Sequence, residues 1–203
     1  IVVQEVTAAW AKALGARPAY PYRHMLTRED PYGIAVLSRW PLESVSLVDL
    51  ASDGLPSLAG VVDVDGQRVQ FLGLHTHWPI TPGLARARDR ALQAAGQLAR
   101  TSELPVVLLG DLNLTPDAPA FHQLTGGTGL QDVMQGRGWQ PTWQAGFWPL
   151  ALRIDHVLVS RGLCVEHAEV GPSVGSDHRP VLARLRTRAG IGAAAASPGT
   201  VGR

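Results

Sequence analysis

Val106-Val107-Leu108-Leu109-Gly110-Asp111-Leu112-Asn113 is the stretch on which the fold of this chain turns. Four aliphatic residues in a row, with no polar alternation, describe a strand covered on both faces. Such a strand needs a layer of structure on either side. Pro105 precedes it as a breaker, and a carboxylate and an amide stand where the run emerges. Before it, residues 84–100 place Leu84, Ala91, Ala95 and Leu98 on one face of a helix, with Arg86 and Arg90 elsewhere. Further upstream, Asp65-Gly66 reads as a hairpin turn between a strand at 60–64 and a returning strand from Gln67 to His77. Residues 33–38 read as a buried strand ended by Trp40-Pro41, and 45–50 as another.

At the start of the chain, a short apolar run reaches Val6. Thr7 N-caps a helix to about Leu14, which Gly15 stops. Residues 20–22 read as loop. Downstream, a short helix follows Pro116, and 126–150 is mostly loop, rich in Gly and Trp. Strands are expected at 153–160, 165–170 and 181–186. This succession predicts two mixed or antiparallel sheets packed together, with helices outside. One domain is expected over 1–187, with an Ala/Gly/Ser-rich disordered tail from 188 to 203.

Composition removes several functions. The 203 residues carry 18 Lys+Arg against 17 Asp+Glu, so the basic footprint of a dedicated nucleic-acid binder is missing. The single cysteine, Cys164, excludes an internal disulfide framework and a cysteine zinc site. No run approaches the ~18 apolar residues of a membrane span.

The acids and histidines fall at the ends of apolar segments. Glu5 ends the first run, His75 and His77 the returning strand, Asp111 and Asn113 the 106–110 run; Asp155 and His156 follow Ile154, and Asp177-His178 precede the last strand. If those ends converge, they form one polar pocket on a rigid scaffold. Carboxylates with one or two histidines and an amide suit a hard divalent cation better than zinc. That composition points to hydrolysis at phosphorus, where positioning and charge neutralisation dominate.

Six blocks in order carry a resemblance: Val3-Gln4-Glu5-Val6, Ala35 to Pro41, Thr76-His77, Gly110-Asp111-Leu112-Asn113, Arg153-Ile154-Asp155-His156 and Ser176-Asp177-His178-Arg179-Pro180. From Ile1 to about Leu185 the chain resembles the endonuclease/exonuclease/phosphatase superfamily. Its members include repair nucleases, pancreatic-type deoxyribonucleases, inositol-polyphosphate phosphatases and neutral sphingomyelinases. Three of its segments look most like a bacterial branch often attached to membrane helices upstream.

The resemblance implies an α/β fold, a four-layer αββα sandwich of two mixed, mainly antiparallel sheets flanked by helices. It implies Mg²⁺ (or Mn²⁺) as cofactor, with Glu5 binding the metal and Asp177 near it. Asp111 would orient or deprotonate the attacking water, and Asn113 would hold water or phosphate beside it. His178 would touch the scissile phosphate, held in orientation by Asp155. His77 would hydrogen-bond the phosphate or assist the leaving group, with His75 two residues earlier, often Asn in relatives. His75, Trp78, Trp143 and Arg153 are the expected substrate contacts.

The expected substrate is DNA, or RNA, cut as a phosphodiester by in-line attack of water. A small or lipid-linked phosphoester is the alternative, and a non-catalytic binding domain the second. Trp139, Trp143, Phe147 and Trp148 read either as a cap on the core or as a stacking or lipid-facing loop. His156, Arg39 and Arg88 read as structural or solvated. The family opens with a strand bearing a metal- or phosphate-binding Asn, and nothing before Glu5 supplies one. The expectation is therefore either an upstream segment outside this chain or another segment that takes the place of that strand.

Overall fold

The computed structural model describes residues 1–144 and 150–188. In chain order its elements are β1 (Val2–Gln4), α1 (Ala8–Gly15), β2 (Tyr22–Leu26), β3 (Ile34–Ser38), β4 (Leu42–Asp49), β5 (Pro56–Val64), β6 (Gln67–His75) and α2 (Pro82–Thr101). There follow β7 (Val106–Asp111), α3 (Pro119–Thr128), β8 (Gln131–Asp132), β9 (Asp155–Val159), β10 (Leu163–Val170) and β11 (Val181–Thr187).

The strands form a six-stranded sheet in the order β4-β5-β6-β7-β9-β8, a three-stranded sheet β1-β3-β2 and a β10-β11 ribbon. Within the large sheet only β6 and β7 pair in parallel, because the helical crossover α2 joins them. Side-chain parity then builds the layers. Val106 and Leu108 of β7, Leu72 and Leu74 of β6 and Leu158 of β9 point to one face, against Leu92, Ala95 and Ala99 of α2 and Phe121 and Leu124 of α3. Val107 and Leu109 point to the other face. There they meet the ribbon through Val165, Val170, Val181 and Leu185, and the small sheet through Ile34 and Val36. The outer face of the small sheet, Ala35 and Leu37, is covered by Ala11 and Leu14 of α1. The layers therefore run helix, sheet, sheet, helices, as the 106–109 run demands.

Local chemistry sets the boundaries. Thr7 accepts a hydrogen bond from the Trp10 amide and opens α1; Thr81 does the same for Leu84 and opens α2, with Pro82 at the first helical position. Gly129, left-handed at φ 74°, closes α3.

Several expectations shift. Tyr22 starts strand β2 instead of extending a loop, because residues 22–26 pair along the whole of β3. The segment expected to be loop at 126–150 contains β8, a short edge strand on β9. Strand β6 stops at His75, so His77 stands in the loop beyond it, and β9 starts at Asp155. Leu98 is exposed; the buried face of α2 runs instead through Ala87, Ala91, Leu92, Ala95, Gly96 and Ala99. Phe147, Trp148 and the tail beyond Arg188 lie outside the described residues. Among the described residues, no helix is long and apolar enough to cross a membrane.

Candidate active site

Strand register brings the polar residues together. His75 pairs across to Asp111, and Asp111 across to Asp155, so one row crosses β6, β7 and β9 at the end of the large sheet. All three share parity with the residues facing the second layer: Phe71 in β6, Val107 and Leu109 in β7, Val157 in β9. Their side chains therefore project between the sheets. Beneath them, Gly110 at φ 139° lets β7 pass close: a Cβ there would stand 1.9 Å from the Leu74 carbonyl and 2.3 Å from the Gln4 amide nitrogen. That Gln4 amide donates to Leu74 O at 2.9 Å and ties β1 across the row. The next residue, Glu5, turns into the left-handed region at φ 57°, and Asn113 does so at φ 48° on the other side. Asn takes that region readily, but for Glu5 it is strained backbone of the kind functional sites hold.

Two acid–histidine pairs flank the row. His178 donates from Nδ1 to Asp155 Oδ2 at 2.8 Å. His77 donates from Nε2 to Asp53 Oδ2 at 3.1 Å, and its Nδ1 accepts from the Tyr32 hydroxyl at 3.2 Å. Ligand-capable atoms of Asp111, Asp155 and His178 lie within 4.8 Å of one another. His75 Nε2 stands 3.8 Å from Asp111 Oδ2, while its buried Nδ1 has no hydrogen-bond partner and its ring leans on Tyr32 at 5.2 Å.

Electrostatics follow from burial. Desolvation, then the charge of Asp155, pushes the Asp111 carboxyl up to about 7, against the hydrogen bond it accepts from the Asn113 amide. Burial draws the His178 imidazole down, but the hydrogen bond and charge of Asp155, then Asp111 and Asp177, outweigh it and push it up to about 9. His75 is drawn down to about 4, chiefly by desolvation. The site thus holds a carboxyl reluctant to ionise beside an imidazolium and a neutral ring.

Not every expected residue joins this cluster. Glu5 and Asp177 are exposed at its edge, near enough for their charges to act on Asp111 and His178 respectively. Asn113 donates its side-chain amide to Thr76 O at 2.8 Å. Trp143 bridges Leu152 and His178 through its backbone, and Trp78 stands in solvent beside His77. Arg153 is committed elsewhere: its guanidinium bonds Asp132 at 2.7 Å and lies against His156. His156 is buried on Phe121 and donates to Leu114 O, a structural role.

Four contributors escape sequence reasoning. Tyr32 and Asp53 hold His77; Arg88 grips Asn113 O at 3.0 Å; Thr142 Oγ1 accepts from the Ile154 and Asp155 amides. Asp53 sits in Ser52-Asp53-Gly54, whose composition reads as an ordinary turn. A cleft lies away from all this, between α2 and α3, floored by Leu92, Gly96 and Leu124. Its lining offers Asp89 and Arg100 but no histidine or second carboxylate, which leaves the strand ends as the candidate site.

The fold has known counterparts. An endonuclease/exonuclease/phosphatase structure from Beutenbergia cavernae superposes with a TM-score of 0.73 over 92% of this chain at 24% identity; the chain spans 62% of that protein's length. TDP2 of D. rerio, solved with a single-strand DNA product, matches over 92% of this chain and 85% of its own at TM-score 0.72 and 18% identity. A mannosyl-6-phosphatase of Bacteroides thetaiotaomicron matches over 91% and 84% at 0.67 and 22%. At these identities the likeness is one of fold. Among curated proteins none matches this sequence. The sequence model of the endonuclease/exonuclease/phosphatase family matches residues 1–178, from the strand just before Glu5 through the histidine paired with Asp155. The chain belongs to that family of phosphoester hydrolases.

Proposed function

We infer that this protein hydrolyses a phosphoester with water and a divalent cation. The observation that carries the reading is the Asp111–Asp155–His178 cluster, three ligand-capable groups within 4.8 Å of one another on three convergent backbone segments. A buried carboxyl held up at about 7 beside a second carboxylate is a site that a cation would relieve. The oxygen-rich set of Asp111 and Asp155, with Glu5 and Asp177 at the edge, fits a hard ion such as Mg²⁺ or Mn²⁺. Bound there, the ion would neutralise charge on the phosphoryl oxygens.

The chain's own residues supply the rest. Asp111 orients the water and accepts its proton as the water oxygen bonds to phosphorus. The bond from phosphorus to the ester oxygen breaks, and that oxygen leaves with a proton drawn from the acid–histidine pair on its side of the site. His178, protonated near neutral pH, faces the phosphoryl oxygens, and Asp155 holds its ring. His77 is held in the same manner by Asp53 and Tyr32.

DNA is one substrate reading, supported by the fold shared with TDP2 bound to a DNA product. The alternative, a compact or lipid-linked ester, is favoured by the surroundings. A nucleic-acid strand needs free cations along its path. In the loops at this end Arg28 is paired with Asp30 and Arg153 with Asp132, while Glu5, Glu29, Asp117 and Asp177 add negative charge.

The test is turnover of bis(p-nitrophenyl) phosphate and of supercoiled plasmid, each in Mg²⁺ and in EDTA. Turnover should need the metal. Asp111→Ala and Asp155→Asn should lower it by about 10²–10⁴-fold with the fold intact. Turnover of neither substrate, or turnover indifferent to Asp111→Ala, sinks the reading.

A further inference from the structure

The pair Asp155–His178 is made by two segments that belong to different sheets. Asp155 opens β9, which pairs with β7 from Asp155 to Val159 but with β8 only at Leu158 and Val159. His178 precedes β11, which pairs with β10. Among the described residues, no backbone hydrogen bond runs directly between residues 152–155 and 177–179. A third piece of chain, residues 142–144, lies between them as a single rung of sheet. Trp143 bridges antiparallel to Leu152 on one side and to His178 on the other.

The bonds of that rung fix both segments. The amides of Thr142 and Trp143 donate to Leu152 O at 2.9 Å. The Gln144 amide donates to Asp177 O at 2.9 Å, and the Arg179 amide to Thr142 O at 2.7 Å, so the residues on either side of His178 are both pinned. The side chain of Thr142 completes the join: its Oγ1 accepts from the Ile154 and Asp155 amides, each at 3.1 Å. It stands where a neighbouring strand would, because β8 does not reach Asp155. Thr142 is 0% exposed, so no solvent can replace it as acceptor, and its β-branch keeps the hydroxyl in few rotamers.

One residue therefore grips Asp155 with its side chain and the neighbour of His178 with its carbonyl. The bond from His178 Nδ1 to Asp155 Oδ2, 2.8 Å long, depends on that grip. A hydrogen bond weakens steeply with misalignment, so a small slip of one segment against the other breaks it. Valine has the shape of threonine but no acceptor; serine keeps the acceptor.

We propose that Thr142 is a positioning residue: it sets the register in which Asp155 meets His178, and so holds the His178 ring for the reaction. The consequence for turnover rests on the hydrolase reading; the placement of the ring does not.

The experiment compares Thr142→Val with Thr142→Ser in the full chain. One readout is hydrolysis of bis(p-nitrophenyl) phosphate in Mg²⁺. The other is the Nδ1 proton of His178, followed by NMR in EDTA at one fixed pH. Thr142→Val should lower kcat about 10–10²-fold with KM within about two-fold of wild type. It should also shift or broaden the His178 ring proton. Thr142→Ser should restore both. A residue that merely staples the fold would lower the thermal midpoint and leave the ring proton and the kcat of the folded enzyme as in wild type. That result overturns the proposal, as does a raised KM at unchanged kcat, or a Thr142→Ser that behaves like Thr142→Val. Should Thr142→Val fail to fold, Thr142→Cys, whose sulfur is a weak acceptor, is read against Thr142→Ser by the same criteria. A wild type that hydrolyses no ester removes the hydrolase reading, and the ring proton then decides the register by itself.

Discussion

His156 shows how a catalytic-looking residue becomes structural. It follows Asp155 in sequence, but strand alternation turns it to the opposite face, where it lies against Phe121 and donates Nε2–H to Leu114 O. Desolvation chiefly, and then the Arg153 charge, draws its pKa down to about 4, against the bond to Leu114. The folded state therefore prefers the neutral ring. That stability is complete above the unfolded value of about 6.5 and is lost as pH falls toward 4. In urea unfolding with EDTA, His156→Gln should flatten the decline between pH 6.5 and 4 by up to one proton's worth, about 1.4 kcal/mol per pH unit. An identical slope in the variant would refute the assignment. Asp53 is the opposite case: a turn residue by sequence, it becomes a carboxylate partner only because the loop after β4 folds against His77.

At the scale of the element, β7 does two jobs. Its alternating side chains bind both layers, and its last two residues set the site. Gly110 permits the close crossing of Gln4 and Leu74, so Gly110→Ala introduces a clash with backbone as well as an unfavourable φ. The expected cost is about 3 kcal/mol or more in denaturant unfolding, accompanied by loss of turnover. A variant of wild-type stability would mean that β1 does not cross β7 as described. The helical crossover α2 contributes from outside the sheet: Arg88, which reads as a solvated residue, reaches Asn113 O and braces the turn after β7.

For the whole molecule, the site places opposing demands on stability. Asp111, raised from 3.8 to about 7, weakens the fold as it ionises across that window. His178, raised from 6.5 to about 9, contributes stability below 6.5 that is lost as pH rises through 9. His75 and His156, both lowered to about 4, withdraw stability below 6.5. In EDTA these groups together place the optimum near pH 6. A cation that relieves Asp111 should raise the thermal midpoint more at pH 8 than at pH 5, and Asp111→Ala should remove the difference. Calorimetry across that range with and without Mg²⁺ checks it; an equal shift at both pH values counts against Asp111 as a ligand.

Period-two alternation and the run at 106–109 determined the covered central strand, its two flanking layers and the emergence of Asp111 at its end, because those follow from which side chains avoid water. Short-range signals such as Thr7 and Asp65-Gly66 likewise determined where elements begin and turn. The edge strands β2 and β8 were not legible, since their place depends on partners distant in the chain. Nor were the alignment of His75, Asp111 and Asp155 in one row, the pairing of His77 with Asp53, or the diversion of Arg153 to Asp132. Tertiary structure decided these, because register and loop contacts are set by the packing of whole layers, and a residue's own sequence neighbours carry no record of what lies across the sheet.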